Sequence, residues 1–401
     1  MMDAFILDAV RTPRGKAKDA GSLHKVKPIE LIAGLMRAAQ GRNALPSAEV
    51  DDVILGCVTA TGEQGANIAK IAALYAGWNH HVSGVTINRF CASGLSAVGM
   101  AATQVSTGMA GLVVAGGVES LSRVPMYSDG GAWFSDPDVA RVSGFINMGI
   151  SADLIATLEG YERAELDAYG LRSQQRARAA RDTNRFRRSL VPVDDEEGRP
   201  LLARDELIRD TASLAELASM PALFTRIGTQ GANDLALSRY PEAQKIRHLH
   251  HLGTSPSLAD GASLVLVGNR AKAHALGLRA RARIRAVANY SVEPVIMLTG
   301  NVEASQRALR LAGAETRDVD LFEVNESFAS VMLHYIRALD VDEERFNVNG
   351  GAIAMGHPLG ATGGMLVATV LDELERRDKT LGLVSICGGA GVATAMVIER
   401  V

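Results

Sequence analysis

Short apolar runs alternate with amphipathic stretches over the first 122 residues of the chain. Runs rich in β-branched residues predict strands, and apolar residues at helical spacing predict helices between them. The predicted strands are residues 4–10, 53–58, 82–87 and 112–115, and the predicted helices are residues 28–39 and 66–76. Alternation of this kind predicts an α/β fold with a parallel or mixed sheet and helices on its faces.

The alternation stops near residue 123 and returns near residue 250. Turn residues cluster at 128–131 and 135–138, and a long polar helix is predicted at 163–181. Arginines then crowd together, at Arg172, Arg176, Arg178, Arg181, Arg185, Arg187 and Arg188, and Asp194, Asp195, Glu196 and Glu197 follow them. We interpret this stretch as an inserted, more polar domain. Its arginines form either a solvated helix surface or a binding surface for anionic groups.

The C-terminal part of the chain repeats the pattern of the N-terminal part. Strands are predicted at 263–268, 282–288, 321–324 and 381–386, and helices at 327–339 and 366–376. A turn with a small-residue helix at 90–102, followed by a strand and glycines, has a counterpart at 350–368 followed by the strand 381–386. This weak internal repeat predicts a duplicated architecture.

Bulk properties exclude several classes of protein. The net charge is −3 over 401 residues, so nucleic-acid binding has no electrostatic support. Three cysteines, an odd number, argue against a disulfide framework and for a reducing compartment. No signal-peptide layout or membrane-spanning apolar run is recognised, and a cytoplasmic enzyme is the simplest interpretation. His248, His250 and His251 have no cysteine or carboxylate at ligand spacing, so we expect surface or packing histidines and no metal site.

Cys91 lies where the predicted strand 82–87 turns into a small-residue helix. The free N–H groups and the positive dipole end of a helix N-terminus favour the thiolate, the nucleophilic form of cysteine. A lone cysteine is more often a buried apolar residue. His357 lies in a glycine-rich loop, followed directly by Pro358, and Cys387 lies on another glycine-rich turn. The three residue types together suggest a nucleophile, a base and a proton shuttle.

These segments resemble the signature motifs of the thiolase family. The nucleophile motif matches at Cys91, Gly-His-Pro at 356–358, Asn-Glu-x-Phe-Ala at 325–329, and a Cys-x-Gly-Gly-Gly-like motif at 387–391. The segments 9–15 and 117–123 are also similar to thiolase sequences, so the resemblance covers nearly the whole chain. Four motifs in family order and spacing make the resemblance specific.

The resemblance implies a thiolase fold, with two similar βαβαβ-type halves in a five-layered αβαβα arrangement and an inserted loop domain. The corresponding division is residues 1–122 with 250–275 for the N-terminal half, 123–249 for the inserted domain and 276–401 for the C-terminal half. By analogy with the family we also expect a homodimer or tetramer, and a hydratase/dehydrogenase partner subunit is a further candidate.

The implied reaction is the cleavage of a 3-ketoacyl-CoA by coenzyme A in fatty acid β-oxidation. Cys91 would carry the acyl group, His357 would remove the thiol protons, and Cys387 would protonate the departing acetyl-CoA carbanion. The N–H groups of Cys91 and Gly389 would form one oxyanion hole, and His357 with a water held by Asn325 the other. Asn325 alone could equally cap the following helix. Coenzyme A is a substrate here, and no cofactor or metal is expected.

Two positions depart from the family pattern. Pro256 stands where a serine facing coenzyme A is common, so Ser255 or Ser257 is the candidate contact. Asn147 precedes Met148, another candidate substrate contact, where short-chain biosynthetic thiolases carry His-Met-Gly. The second departure favours a degradative 3-ketoacyl-CoA thiolase. The alternatives are an acetyl-CoA C-acetyltransferase that forms acetoacetyl-CoA, a decarboxylating ketoacyl synthase, which would not need Cys387, and a non-catalytic scaffold subunit of a β-oxidation complex.

Overall fold

The computed structural model describes residues 3–195 and 197–401, so Glu196 of the predicted acidic cluster lies outside the described residues. The strands are β1 Phe5–Arg11, β2 Gly15–Lys16, β3 Asp52–Gly56, β4 Val85–Ile87, β5 Leu112–Ser120, β6 Val193–Asp194, β7 Pro200–Leu202, β8 Ala259–Gly268, β9 Ala282–Ser291, β10 Leu321–Val324, β11 Leu381–Cys387 and β12 Val392–Arg400. The helices are α1 Pro28–Arg42, α2 Ile68–Tyr75, α3 Ser93–Thr107, α4 Ala132–Ser135, α5 Pro137–Ser143, α6 Met148–Leu158, α7 Arg163–Asp182, α8 Leu214–Ser219, α9 Thr225–Ile227, α10 Asn233–Arg239, α11 Arg270–Ala275, α12 Gly300–Ala312, α13 Ala329–Leu339, α14 Ala352–Met355 and α15 Leu359–Arg376.

The large sheet is mixed and runs in the order β10-β11-β12-β9-β1-β8-β5-β3-β4, with β2 paired to β8. Strand β3 is parallel to β4 and β5, and β10 is parallel to β11, whereas the other pairs are antiparallel. Strands β1 and β9 meet only through the pairs Phe5–Arg283 and Ile6–Ala282. This short joint divides the sheet into an N-terminal and a C-terminal part.

The two parts of the sheet are built alike. In the first, β3 lies between the parallel strands β4 and β5, and β5 then pairs with antiparallel β8. In the second, β10 is parallel to β11, which pairs with antiparallel β12, and Phe322 of β10 forms a parallel bridge to Phe346. That bridge takes the place of the β3–β4 pairing. The two similar halves predicted from the sequence are therefore confirmed.

Helices α3 and α15 form the central layer of the molecule. Helix α3 contacts β3, β5 and β8 of the first half and β12 of the second, and α15 contacts β1, β5 and β8 as well as β10 and β11. Helices α1 and α2 cover the outer face of the first half, and α12 covers that of the second, with α13 packed against it. The order helix, sheet, helix, sheet, helix gives the five layers of the predicted fold.

Glycines allow α3 and α15 to touch along their backbones. A Cβ at Gly94 would collide with the carbonyl oxygen of Gly360, and a Cβ at Gly363 would collide with the backbone nitrogen of Leu95. Side chains larger than hydrogen would force the two helices apart. Because α3 follows Cys91 and α15 follows His357, this contact helps to fix the spacing of the site.

The segment between β5 and β8 contains α4 to α10 and the small sheet β6–β7. The arginines of α7 and its continuation contact the C-terminal half of the chain. Arg176 donates to the carbonyl oxygen of Phe346 at 2.7 Å, Arg185 donates to Asn349 at 3.0 Å, and Arg188 forms an ion pair with Glu375. These arginines are therefore not a solvated surface alone, whereas a contact with the phosphates of coenzyme A or with an anionic partner surface stays a prediction. The division into three domains also stays a prediction.

Two histidines expected as surface or packing residues are fully buried and paired with carboxylates. His250 Nδ1 lies 2.7 Å from Asp153, and His251 Nε2 lies 2.6 Å from Asp167. His248 contacts the second oxygen of Asp153 at 2.9 Å. Of the two expected roles, surface or packing, packing holds for His250 and His251, and their carboxylate partners come from α6 and α7, about eighty to a hundred residues earlier.

One stretch, Pro137–Leu158, is long and apolar enough by length and composition to cross a membrane, and 56% of its most apolar window is buried inside the protein. The structure divides this stretch into α5 and α6, with Gly144 between them at φ 69°. A membrane-spanning helix needs about 20 continuous residues, and neither helix reaches that length.

Candidate active site

The turn that presents Cys91 is fixed by local hydrogen bonds. Strand β4 ends at Ile87 and α3 begins at Ser93, so Cys91 lies on the predicted strand-to-helix turn. The hydroxyl of Ser93 accepts a hydrogen bond from the backbone of Arg89 at 2.7 Å and donates to the carbonyl of Phe90 at 2.6 Å. Phe90 adopts φ 48°, a conformation that a bulky residue takes only when its surroundings impose it. Cys91 itself is buried.

The Cys91 thiol is protonated in the resting site. Burial first, and then the nearby Cys387 and Glu119, raise its pKa to about 12. The N–H groups of Cys91 itself and of Gly389, directed at the sulfur, act in the opposite direction. The two N–H groups act in the direction expected for this turn, but the loss of solvation outweighs them. A base is needed to generate the nucleophile.

Glu119, in the thiolase-like segment 117–123, is a buried carboxylate that was not singled out from the sequence. It accepts hydrogen bonds from the backbone of Val58 at 2.9 Å, Thr59 at 3.0 Å and Gly360 at 2.9 Å, and from the side chain of Gln64 at 3.1 Å. Glu119 thus joins the end of β5 to the loop after β3 and to the start of α15. The Cys57 thiol also lies 3.7 Å from Glu119, and a fully buried acid with five donors around it holds these loops in place.

His357 is buried just before α15 and is held at both ends. Its backbone N–H donates to Ser257 at 2.8 Å, and its Nδ1 lies 2.7 Å from the hydroxyl of Thr362. The preceding Gly356 has φ 97°, and a Cβ there would collide with Ala259. Burial first, and then the charge of Arg14, lower the pKa of His357 to about 3. The imidazole is therefore neutral, as a proton acceptor must be.

Cys387 ends strand β11 and is fully buried. Its sulfur lies 3.1 Å from the hydroxyl of Ser327, and the next residue, Gly388, donates its N–H to Val392 at 2.8 Å. Burial raises the pKa of Cys387 to about 11, and the contact with Ser327 opposes that shift. At neutral pH Cys387 is a thiol, which can donate a proton.

Asn325 is linked to Cys387 through the side chain of Ser327. Its backbone N–H donates to Ser385 at 2.9 Å, and its Nδ2 lies 3.3 Å from Ser327 Oγ. The Oδ1 atom of Asn325 is buried and has no hydrogen-bond partner in the described chain. A buried amide oxygen without a partner leaves a position for a water or a substrate group. Ser327 was not singled out from the sequence, although it is the variable residue of the Asn-Glu-x-Phe-Ala motif.

The structure brings Cys91, Gly389 and Cys387 together. A Cβ at Gly388 would lie only 3.1 Å from the backbone nitrogen of Cys91, so the two glycine-rich turns touch. No hydrogen bond joins the Cys91 thiol to His357 among residues 3–195 and 197–401. Catalytic hydrogen bonds are often long or poorly aligned before substrate binds.

The candidate substrate contacts fall in different places. Met148 lines a pocket beside Cys91 and Gly389. Ser255 has a buried hydroxyl with no partner in the described chain, and Ser257 supports His357 through its carbonyl. Asn147 caps α6 by accepting from the backbone of Gly149 at 2.9 Å. The roles assigned to all of these residues stay predictions.

Comparison with known proteins agrees with the geometry. A family model for the thiolase N-terminal domain matches residues 4–237, and one for the thiolase C-terminal domain matches residues 278–400. A 3-ketoacyl-CoA thiolase from Serratia proteamaculans is 40% identical over 412 residues, and one from Escherichia coli is 39% identical over 411, with 100% of both chains covered in each case. The crystal structure of the Bacillus anthracis acetyl-CoA acetyltransferase superimposes with a TM-score of 0.86 at 30% identity, covering 100% of this chain and 99% of that one. The chain belongs to the thiolase family.

Proposed function

We propose that this protein is a 3-ketoacyl-CoA thiolase, which cleaves a 3-ketoacyl-CoA with coenzyme A to acetyl-CoA and a shortened acyl-CoA. The observation that supports this most is the pairing of two buried thiols, Cys91 and Cys387, at a turn whose Gly389 N–H is directed at the Cys91 sulfur. An acyl transfer at one thiol with a proton transfer at the other needs this arrangement. The names of the relatives that cover the whole chain are consistent with it.

In the first half-reaction, neutral His357 takes the proton of Cys91 as the sulfur attacks the 3-keto carbon. The N–H groups of Cys91 and Gly389 stabilise the negative charge on the former 3-keto oxygen. His357, with a water held by Asn325, stabilises the negative charge on the enolate oxygen of the departing acetyl-CoA. The bond between the second and third carbons then breaks. Cys387 gives its proton to the departing acetyl-CoA carbanion and becomes a thiolate.

In the second half-reaction, the proton on His357 passes to the Cys387 thiolate, so that His357 is neutral again. His357 then removes the proton of the incoming coenzyme A thiol, whose sulfur attacks the thioester on Cys91. The Cys91 sulfur leaves and takes the proton back from His357. Each group thereby returns to its starting protonation state. The chain's own side chains supply every step, with coenzyme A as a substrate and without a cofactor.

The assembly and the location of the enzyme belong to the same proposal. We expect a homodimer or tetramer that works in the cytoplasm in fatty acid β-oxidation, with a hydratase/dehydrogenase subunit as a candidate partner. Three free cysteines, all of them buried, fit a reducing compartment.

A second candidate function is acetoacetyl-CoA formation by the reverse, condensing reaction. The similarity to the Bacillus anthracis acetyl-CoA acetyltransferase favours it. The two functions use the same three catalytic side chains and differ in the acyl group that the pocket accepts. The scaffold alternative is less well supported, since Cys91, His357 and Cys387 are all present and buried.

A thiolysis assay over a series of 3-ketoacyl-CoA lengths tests the proposal, with Cys91→Ser beside the wild-type protein. We expect loss of the 3-ketoacyl enolate absorbance when coenzyme A is added, and no loss with Cys91→Ser. Activity on acetoacetyl-CoA alone would favour the acetyltransferase. A folded and reduced protein that thiolyses no substrate would overturn the catalytic proposal.

A further inference from the structure

The space beside the nucleophile is small and walled by large side chains. The cavity next to Cys91 holds only about 40 Å³. The inserted segment contributes most of its outer wall, through Met126, Tyr127, Trp133, Phe134 and Met148. An acyl group attached to Cys91 has to extend into this space or displace these residues.

The wall is an aromatic cluster in a chain that has only 4% aromatic residues. Trp133 lies between Phe90 and Phe145, with ring centroids 4.9 Å from each. Tyr127 packs against Phe134 at 4.6 Å, and both rings reach Phe145. Tilted and edge-to-face pairs at these distances stabilise one another, so the cluster holds its shape.

Trp133 is one of four rings of this cluster, with Phe90, Tyr127 and Phe134, that line the cavity beside Cys91. The edge of its indole, atom Cη2, lies 3.0 Å from the position that a Cβ on Gly389 would occupy. Gly389 supplies the N–H that is directed at the Cys91 sulfur. The indole therefore lines the cavity on the side of Gly389.

We propose that Trp133 sets the upper limit on the acyl chain that this enzyme transfers, by filling the outer part of the acyl pocket. The proposal rests on the thiolase function proposed above and adds the substrate class, short-chain 3-ketoacyl-CoA. In this proposal the volume of the indole ring is what limits the length of the acyl chain. A longer chain would have to displace the ring from Phe90 and Phe145.

The test compares kcat/KM for acetoacetyl-CoA with kcat/KM for a 3-ketoacyl-CoA of about ten carbons, in wild-type, Trp133→Phe and Trp133→Ala proteins. We expect the long-to-short ratio to rise by about tenfold or more in Trp133→Ala and by less in Trp133→Phe, since a pocket discriminates by the volume it offers. The mass of the acylated Cys91 peptide after mixing with each substrate gives a second readout, and circular dichroism verifies folding.

Phe145→Leu is the matched control, because Phe145 packs against Trp133 but does not line the cavity. We expect its long-to-short ratio to stay near that of the wild type. An equal rise of the ratio in Phe145→Leu would show that the effect comes from weaker packing of the inserted segment and not from the volume of Trp133. An unchanged or lower ratio in Trp133→Ala would show that the indole ring does not exclude long chains. Either result overturns the inference while leaving the thiolase function intact. A wild-type protein inactive on every length would instead refute the function.

Discussion

The reactivity of Cys91 depends on how its proton is shared with the residues around it. The pKa of the thiol is raised to about 12 and that of His357 is lowered to about 3. The resting pair is therefore a neutral thiol and a neutral imidazole, and not a thiolate with an imidazolium. Both shifts have the same main cause, which is burial.

Alkylation of Cys91 by iodoacetamide tests this protonation state. When the pH is well below the pKa of a thiol, its alkylation becomes faster as pH rises, because only the thiolate reacts. We expect the rate to increase by about tenfold per unit between about pH 7 and pH 9, without a plateau. Mass spectrometry identifies the labelled cysteine, and Cys91→Ala gives the background from Cys57 and Cys387. A rate that is constant from pH 6 upward would show that Cys91 and His357 form an ion pair.

Ser327 connects two of the site residues and is the second test at this scale. Its hydroxyl contacts the Cys387 sulfur at 3.1 Å and the Asn325 amide at 3.3 Å, and it opposes the upward shift in the pKa of Cys387. Ser327→Ala should raise that pKa and slow the steps in which Cys387 exchanges a proton. We expect exchange of the acetyl-CoA methyl protons with deuterated water to slow by about tenfold, the equivalent of one net hydrogen bond.

Ser330→Ala is a suitable control for Ser327→Ala. Ser330 is also a buried serine at the start of α13, but its hydroxyl donates to the carbonyl of Ala152 at 2.9 Å, away from the thiols. Its removal should cost stability without changing the exchange rate. Equal slowing in both variants would mean that the effect comes from packing of α13 and not from the contact with Cys387.

At the scale of elements, the central contact between α3 and α15 determines the distance between the Cys91 and His357 turns. A Cβ at Gly363 would overlap the backbone nitrogen of Leu95. We expect Gly363→Ala to lower the free energy of unfolding by at least about 2 kcal/mol, since backbone cannot yield as a side chain does. Urea denaturation followed by circular dichroism measures the change, and thiolysis activity should fall with it.

Gly34→Ala is the matched control for Gly363→Ala. Gly34 lies within α1, where a Cβ would meet no atom within 4 Å in the described chain. Alanine is the better helix former, so this substitution should raise the free energy of unfolding by up to about 1 kcal/mol. Changes of opposite sign in the free energy of unfolding, a decrease for Gly363→Ala and an increase for Gly34→Ala, would show that the constraint lies in the α3–α15 contact. A destabilising Gly34→Ala would contradict that explanation.

The sequence pattern predicts most elements that have a strong period and clear turn residues. Helices α1 and α7 begin at the predicted residues, and β10 has the predicted bounds. Helix α12 and strand β12 were not assigned from the sequence, although β12 is apolar. A run such as 392–398 has no period that separates a buried strand from a buried helix, and the pairing with β9 and β11 decides it.

At the scale of the whole molecule, the candidate site could be proposed from the sequence because each candidate catalytic residue lies in a local motif. What could not be predicted is how distant charges pair. Arg11 and Arg14 lie in a family-like opening segment, yet their common partner is Asp205 of the inserted segment, more than 190 residues away. The aromatic wall over Cys91 was missed for the same reason, since Phe90 and Trp133 meet only in the fold.

The contact at Asp205 ties the inserted segment to β1. Arg11 donates to both carboxylate oxygens of Asp205, at 2.8 and 2.9 Å, and the backbone of Arg14 donates to one of them at 2.9 Å. All three residues are buried. Burial alone would raise the pKa of Asp205, but the charges of Arg11 and Arg14 outweigh it and lower the pKa below its usual value.

Asp205→Asn should therefore lower the free energy of unfolding by about 3 kcal/mol at neutral pH, because it leaves Arg11 buried without its counter-charge. The lowered pKa sets the pH dependence. The contribution of Asp205 is complete above the unfolded-state pKa of about 3.9 and is lost as pH falls through the lower folded-state value. Urea denaturation of the wild-type and Asp205→Asn proteins should give a difference in the free energy of unfolding that is constant above about pH 5 and shrinks below about pH 4.

Asp138→Asn is the control, since Asp138 forms an exposed pair with Arg141, and it should change the free energy of unfolding by less than about 1 kcal/mol. A difference for Asp205→Asn that grows on acidification would show that the carboxylate is protonated in the folded protein, and that Arg11 and Arg14 do not hold it ionised.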